Sequence, residues 1–167
     1  MSLKILLNGA LGRMGRVLQE RIPDQGHTIV AAVDQDDDVA TGLADCDVVI
    51  DFSFHDATPA LAEACAVAAK AMVIGTTGHA EEESARIRGA GESVPIVWAG
   101  NYSVGVNLLN HLVENAARIL GDAFHPEVIE AHHREKVDAP SGTARGLVDA
   151  ILRGRQWDPD AVRYGRE

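Results

Sequence analysis

Short apolar runs alternate with amphipathic stretches from the start of the chain to Trp98. Residues 4–8, 28–33, 47–51, 72–74 and 95–98 are brief and rich in Ile, Leu and Val, the signature of strands buried on both faces. Residues 16–22, 58–70 and 81–88 lie between them and read as helices. Strands and helices in alternation predict an α/β fold, a doubly wound parallel sheet with right-handed crossovers. The pattern then changes. Residues 106–120 predict one long helix, with Val106, Leu109, Leu112, Val113, Ala116, Ala117 and Leu120 on a broad face expected to be core, and Gly121 at its C-cap. Residues 126–131, with Val128 and Ile129, read as a strand. Residues 142–152 predict a helix with Ala144, Leu147, Val148, Ile151 and Leu152 on one stripe. Ser141 stands where its N-cap belongs, and Pro140 discourages an earlier start. Residues 153–167 are polar and loop-like.

Composition narrows the class. The 167 residues are 46% hydrophobic, which favours a folded protein over a disordered one. A net charge of −10 argues against general nucleic-acid binding, so an anionic ligand needs a local basic site. No apolar run approaches a membrane span. Cys46 and Cys65 are read as free thiols, and with no secretory leader in view the expected location is the cytoplasm.

Two stretches carry candidate chemistry. After the first strand come Gly9, Gly12 and Gly15, at Gly-x-x-Gly-x-x-Gly spacing, and then a helix. Strand, glycine turn and helix form the context of a dinucleotide-binding fingerprint of the Rossmann type. Gly9 would make the tight turn, Gly12 would let a pyrophosphate near the helix start, and Gly15 would allow close helix–strand packing. Gly9, Ala10, Leu11, Gly12, Arg13 and Met14 are therefore expected to cradle the cofactor. Asp34 lies 19 residues after Gly15, close to the spacing of the acid that binds the ribose hydroxyls. Its carboxylate repels the extra phosphate of NADPH, and Asp36, Asp37 and Asp38 add to that field, although a solvated loop also accounts for those three. NADH is the expected cofactor, with NADPH possible.

The second stretch is residues 130–147. His132, His133, Arg134 and Lys136 stand between the expected strand and the start of the last helix. Free N–H groups at a helix start attract anions, and the small run Ser141-Gly142-Thr143 lets a carboxylate approach the backbone. A small acidic substrate fits this loop. The adjacent histidines point to opposite sides of an extended segment, and no His-x-x-x-His or Cys-x-x-Cys pair exists, so no metal is expected. Arg134 and Glu135 read as exposed loop charges.

The run from Glu130 to Ala144 also resembles the signature of the dihydrodipicolinate reductases, Glu-x-His-His-x-x-Lys-x-Asp-x-Pro-Ser-Gly-Thr-Ala, with every fixed position present. The resemblance extends from about residue 4 to 167. It implies reduction of the cyclic dicarboxylate 4-hydroxy-tetrahydrodipicolinate in lysine and diaminopimelate biosynthesis. It assigns His132 and Lys136 to acid–base roles and His133, Ser141, Gly142 and Thr143 to substrate binding. It places Gly75, Thr76 and Thr77 beside the nicotinamide and ribose, and Ala99, Gly100, Asn101 and Tyr102 along the cofactor site. Where some members carry an arginine after the ribose-binding acid, this chain has Gln35.

The implied plan is a dinucleotide-binding domain over 1–102 and an α+β substrate-binding and catalytic domain over 103–167. Family members continue well beyond residue 167, so the second domain is expected to be incomplete. Its single strand has no partner. A fragment, or a compact variant whose strand pairs with another subunit of the family's homotetramer, would follow. Two rival functions remain open from the sequence. One is another two-domain NAD-dependent reductase, such as an aspartate or homoserine dehydrogenase. The other is a nucleotide-binding module without catalysis.

Overall fold

A computed structural model describes residues 1–165 except Asp36, Glu135, Val137 and Asp138, together with all but the side chain of Thr41. The chain forms two compact units, Met1–Ala99 and Gly100–Glu167.

The first unit is a five-stranded sheet in the order β2-β1-β3-β4-β5. Its strands are β1 (Lys4–Asn8), β2 (Thr28–Val33), β3 (Val48–Asp51), β4 (Ala71–Ile74) and β5 (Ile96–Trp98), each within a residue or so of the expected position. Every pairing is parallel. The helices are α1 (Arg13–Asp24), α2 (Ala40–Leu43), α3 (Thr58–Val67) and α4 (Glu81–Ala90). The short α2 carries no periodic signal and was not expected. Ile5, Leu6 and Leu7 of β1 are all buried, because this interior strand is covered on both faces. Leu6, Val49, Met72, Ile74, Leu61, Cys65 and Ile87 make one cluster. Each fully buried Leu or Ile there contributes about 2 kcal/mol of transfer free energy. Both cysteines are free and buried, and burial pushes the Cys65 thiol up to about 12. The winding reverses between β1 and β3. In doubly wound sheets, ligands bind outside the strands' carboxyl ends at such a reversal.

The second unit contains α5 (Val104–Leu120) and α6 (Gly142–Arg155), with one-turn helices at Gly121–Ala123 and Pro159–Ala161. Two expectations change here. Residues 126–131 form no strand, because a strand exists only in a ladder and no partner is present among the described residues of this unit. The expected core face of α5 also stays largely open. Ala117 is buried and Val106 and Val113 are half-buried, but Leu109, Leu112, Ala116 and Leu120 are exposed.

The helices meet through small residues instead. A Cβ on Gly154 would lie 2.3 Å from the Glu114 carbonyl oxygen, and one on Gly146 would lie 3.2 Å from the Asn110 amide. Gly146, Ala150 and Gly154 recur every four residues, so they share one face of α6, and Ala150 is fully buried. Leu147, Val148, Ile151 and Leu152 of the expected stripe are half-buried. Arg155 fastens the far end. It stacks 4.1 Å above the Trp157 ring, donates to the Phe124 carbonyl at 3.1 Å and pairs with Asp122.

Candidate active site

In the first unit the glycine turn sits at the end of β1, beside the reversal. Gly9 adopts φ +79°, and a Cβ there would lie 2.2 Å from the Phe52 carbonyl oxygen, so only glycine fits. The N–H groups of Gly9 and Ala10 both donate to the Val33 carbonyl at 3.0 Å, which joins the turn to the end of β2. A Cβ on Gly15 would lie 2.2 Å from the Gly9 carbonyl oxygen, so the helix presses on the turn as its spacing predicted. Gly12 is the N-cap of α1 and supplies no side-chain cap. No N-cap side chain therefore occupies the first-turn N–H groups of α1, and Leu11, Gly12, Arg13 and Met14 are exposed. This donor set suits a pyrophosphate. Two α1 side chains hold the turn by its carbonyls: Arg16 Nε donates to Leu11 at 3.1 Å and Gln19 Nε2 donates to Ala10 at 2.8 Å. Asp34 reaches the same turn, where its Oδ2 accepts from the Leu11 N–H at 2.7 Å. Asp36 lies outside the described residues.

The residue that orders the neighbouring loops is Asp51, which was not singled out from the sequence. It is fully buried at the end of β3. Its carboxylate accepts from Asn8 Nδ2 at 2.7 Å, Ser53 Oγ at 2.6 Å, Thr58 Oγ1 at 2.7 Å and Thr76 Oγ1 at 2.9 Å. Those donors come from β1, the loop after β3, α3 and the loop after β4. Thr76 also accepts from the Ser53 N–H at 2.9 Å. Gly75 is required by the same arrangement, since a Cβ there would fall 2.0 Å from the Phe52 ring. Thr77 is exposed and Ala99, which closes the unit, is half-buried. Further along, Glu83 accepts from the Ala80 N–H at 2.7 Å and meets His55 Nδ1 at 3.0 Å, and these contacts hold its carboxyl below the usual range. Burial pushes the His79 imidazole down, and its ring stands edge-on to Trp98 at 5.1 Å.

In the second unit Glu130, His132 and Ser141 gather on the start of α6. Ser141 is its N-cap, as predicted, and its hydroxyl accepts from the Ala144 N–H at 3.1 Å. The Ser141 N–H donates to Glu130 Oε1 at 3.1 Å. Glu130 Oε2 lies 2.6 Å from His132 Nε2. The His132 and Ser141 contacts hold the Glu130 carboxyl down at about 2. Glu130 thus links His132 to the helix start. Asn101 links a second pair: its Nδ2 donates to Thr143 Oγ1 at 3.3 Å, while its Oδ1 accepts from the Ser103 N–H at 2.8 Å. Gly100 and Tyr102 beside it are exposed. The Lys136 N–H donates to the His133 carbonyl at 3.1 Å. Gly142 is exposed at the first helical position, where no carbonyl one turn earlier in the helix can satisfy its N–H. Glu135, Val137 and Asp138 of the signature lie outside the described residues. Among the described residues no group of three or more His, Cys, Asp or Glu could hold a metal ion, and no helix is long and apolar enough to cross a membrane.

A doubly wound parallel sheet with a glycine turn at its reversal defines an α/β nucleotide-binding fold. Residues 3–102 match the family model "Dihydrodipicolinate reductase, N-terminus", and residues 105–165 match "Dihydrodipicolinate reductase, C-terminus". The chain is 48% identical over 169 residues to the 4-hydroxy-tetrahydrodipicolinate reductase of Akkermansia muciniphila, covering 99% of this chain and 68% of that one. It is 45% identical over 192 residues to the enzyme of that name from Thiobacillus denitrificans, covering 100% of this chain and 72% of the relative. The dipicolinate-bound dihydrodipicolinate reductase of Paenisporosarcina sp. TG-14 shares the fold, with a TM-score of 0.71 at 21% identity over 98% of this chain and 72% of that structure. The chain belongs to the dihydrodipicolinate reductase family.

Proposed function

We propose that this chain reduces 4-hydroxy-tetrahydrodipicolinate to tetrahydrodipicolinate with a nicotinamide nucleotide, in lysine and diaminopimelate biosynthesis. The observation that carries this reading is the Glu130, His132 and Ser141 cluster on the α6 helix start, in a chain that matches the reductase family along both units. The other NAD-dependent reductases and the inactive nucleotide-binding module are not favoured.

Residues 1–102 hold the nucleotide in this reading. Its pyrophosphate lies on Gly9 to Met14, its ribose hydroxyls are accepted by Asp34, and Gly75, Thr76, Thr77 and Ala99 to Tyr102 line the nicotinamide. The reduced nicotinamide supplies the hydride when bound. Residues 103–167 bind the substrate and manage its proton. Gly142 and Thr143 hold one carboxylate through N–H groups and a hydroxyl, and fix the orientation of the dianion. Ser141 keeps that helix start open by capping it. His133 adds a polar contact. Lys136 offsets the negative charge that develops on the ring, and Lys136 and His132 serve the carbon that takes up a proton. Asp34 without a following arginine supports a preference for NADH over NADPH. The open apolar face of α5 supports self-association, with the family's homotetramer as the expected form. The unbridged cysteines support a reducing, cytoplasmic setting.

The test is NADH oxidation by this chain, with substrate generated in place by the preceding synthase, beside a direct titration of NADH and NADPH. Turnover with tighter NADH binding is expected. NADH binding without turnover would return the inactive module, and tighter NADPH binding would overturn the role of Asp34.

A further inference from the structure

The signature glutamate has no role in the reading above, and its geometry supplies one. We infer that Glu130 is a positioning residue that fixes the tautomer and orientation of His132 by clamping its Nε2 to the α6 helix start. The inference rests on the reading of His132 as an acid–base residue.

Glu130 and His132 are two residues apart, and their side chains meet. The Glu130 carboxylate reaches both His132 Nε2, at 2.6 Å, and the Ser141 N–H, at 3.1 Å. Oε2 faces the histidine, while the Ser141 N–H sits between the two oxygens, 3.1 Å from Oε1 and 3.4 Å from Oε2. A carboxylate held by a helix-start N–H stays ionised and acts only as an acceptor. Its histidine partner must then donate, which places a proton on Nε2 in the neutral ring. Nδ1 is left as the nitrogen that takes up and releases a proton. The carboxylate also stabilises the imidazolium that forms when Nδ1 is protonated. One side chain therefore selects the working nitrogen and ties the ring to the turn where the substrate carboxylate is held.

The arrangement refines the anion-binding expectation as well. The Ser141 N–H is already occupied by an anion of the chain's own, so an incoming carboxylate meets Gly142 and Thr143.

The test is ¹⁵N NMR of the imidazoles in the 167-residue chain, with the His132 signals assigned by their loss in His132→Asn. Wild-type protein at neutral pH should show His132 as a single Nε2–H tautomer. In Glu130→Gln and Glu130→Ala the signals should move to averaged values for two tautomers. An Nδ1–H ring in wild-type protein, or an Nε2–H ring unchanged in a folded Glu130→Gln variant, overturns the proposal. Should a variant fail to fold, the wild-type tautomer still decides. Turnover addresses the underlying reading separately. Glu130→Gln should lower kcat about tenfold or more with KM for NADH unchanged, a share of the roughly 10²–10⁴-fold that positioned acid–base groups contribute. A held tautomer together with full turnover in His132→Asn would mean that Glu130 positions a histidine the reaction does not use, and the reading of His132 would fall instead.

Discussion

The two units treat polar side chains in opposite ways. In the first, the governing carboxylate, Asp51, is fully buried and accepts four hydrogen bonds. In the second, the governing carboxylate, Glu130, is only partly covered and links a histidine to a helix start. Apolar side chains show the same inversion. The first unit buries Leu6, Val49 and Ile74 completely, while the second leaves Leu109, Leu112 and Leu120 open. Burying polarity requires every group to be paired, and the result is a rigid frame. Leaving polarity at the surface keeps it able to exchange protons. The nucleotide-binding unit spends its polar residues on shape, and the second unit spends them on chemistry.

That contrast can be broken at several points. Lys136→Ala should reduce turnover by roughly 10²-fold or more while NADH affinity stays nearly intact, because the residue acts on developing charge and not on nucleotide binding. Wild-type turnover in that variant would remove Lys136 from the chemistry. His132→Ala should cost less, since lysine and water partly substitute. Asp51→Ala should do the reverse and destabilise the first unit by about 3 kcal/mol, because four donors lose their acceptor in a buried site. Trp98 lies in the first unit and Trp157 in the second, and these are the chain's 2 tryptophans, so each unit has its own fluorescent reporter. Urea unfolding of Asp51→Ala in a Trp157→Phe background reads the first unit alone. An unchanged midpoint would dismiss Asp51 as its organiser.

Gly154→Val should loosen the second unit by about 2 kcal/mol, since the side chain would strike the Glu114 carbonyl. The Trp157 signal should report that loss and the Trp98 signal should not. Acid should act on the same unit. The Glu130 carboxyl is held at about 2 by His132 and Ser141, below its ordinary value of about 4.3. Its contribution is complete above that ordinary value and is lost as pH falls through it toward the folded value. The Trp157 transition should therefore weaken between about pH 5 and pH 2, and less so in Glu130→Gln. The smallest expected effect is chemical: buried Cys65, raised to about 12, should resist alkylation at pH 8 until the first unit unfolds.

The five strands were legible because parallel strands buried on both faces read as unbroken apolar runs. The glycine turn was legible because backbone clearance demands glycine at Gly9 and Gly15. Asp51 was not, since an aspartate at a strand end looks the same in sequence whether it meets water or four donors. The α5–α6 contact was misjudged for a related reason. Apolar periodicity identifies the face that avoids water, whereas the Gly146, Ala150 and Gly154 row shows where two backbones can approach. The strand at 126–131 was expected from its apolar content although no partner strand was in view, and without a ladder it does not form. Glu130 stood in the signature as one letter among fifteen. Its spacing of two from His132 was the available clue.

Asp51 has one further consequence, for the thermodynamics of nucleotide binding. The end of β1 and the loops after β3 and β4 are tied to one carboxylate before any ligand arrives. A surface already ordered has little conformational entropy left to surrender, so more of the contact energy is realised as affinity. Amide protons of Ser53 and Gly75, which donate to the Thr76 hydroxyl and the Asp51 carbonyl, should accordingly exchange slowly in the free protein and change little when the nucleotide binds.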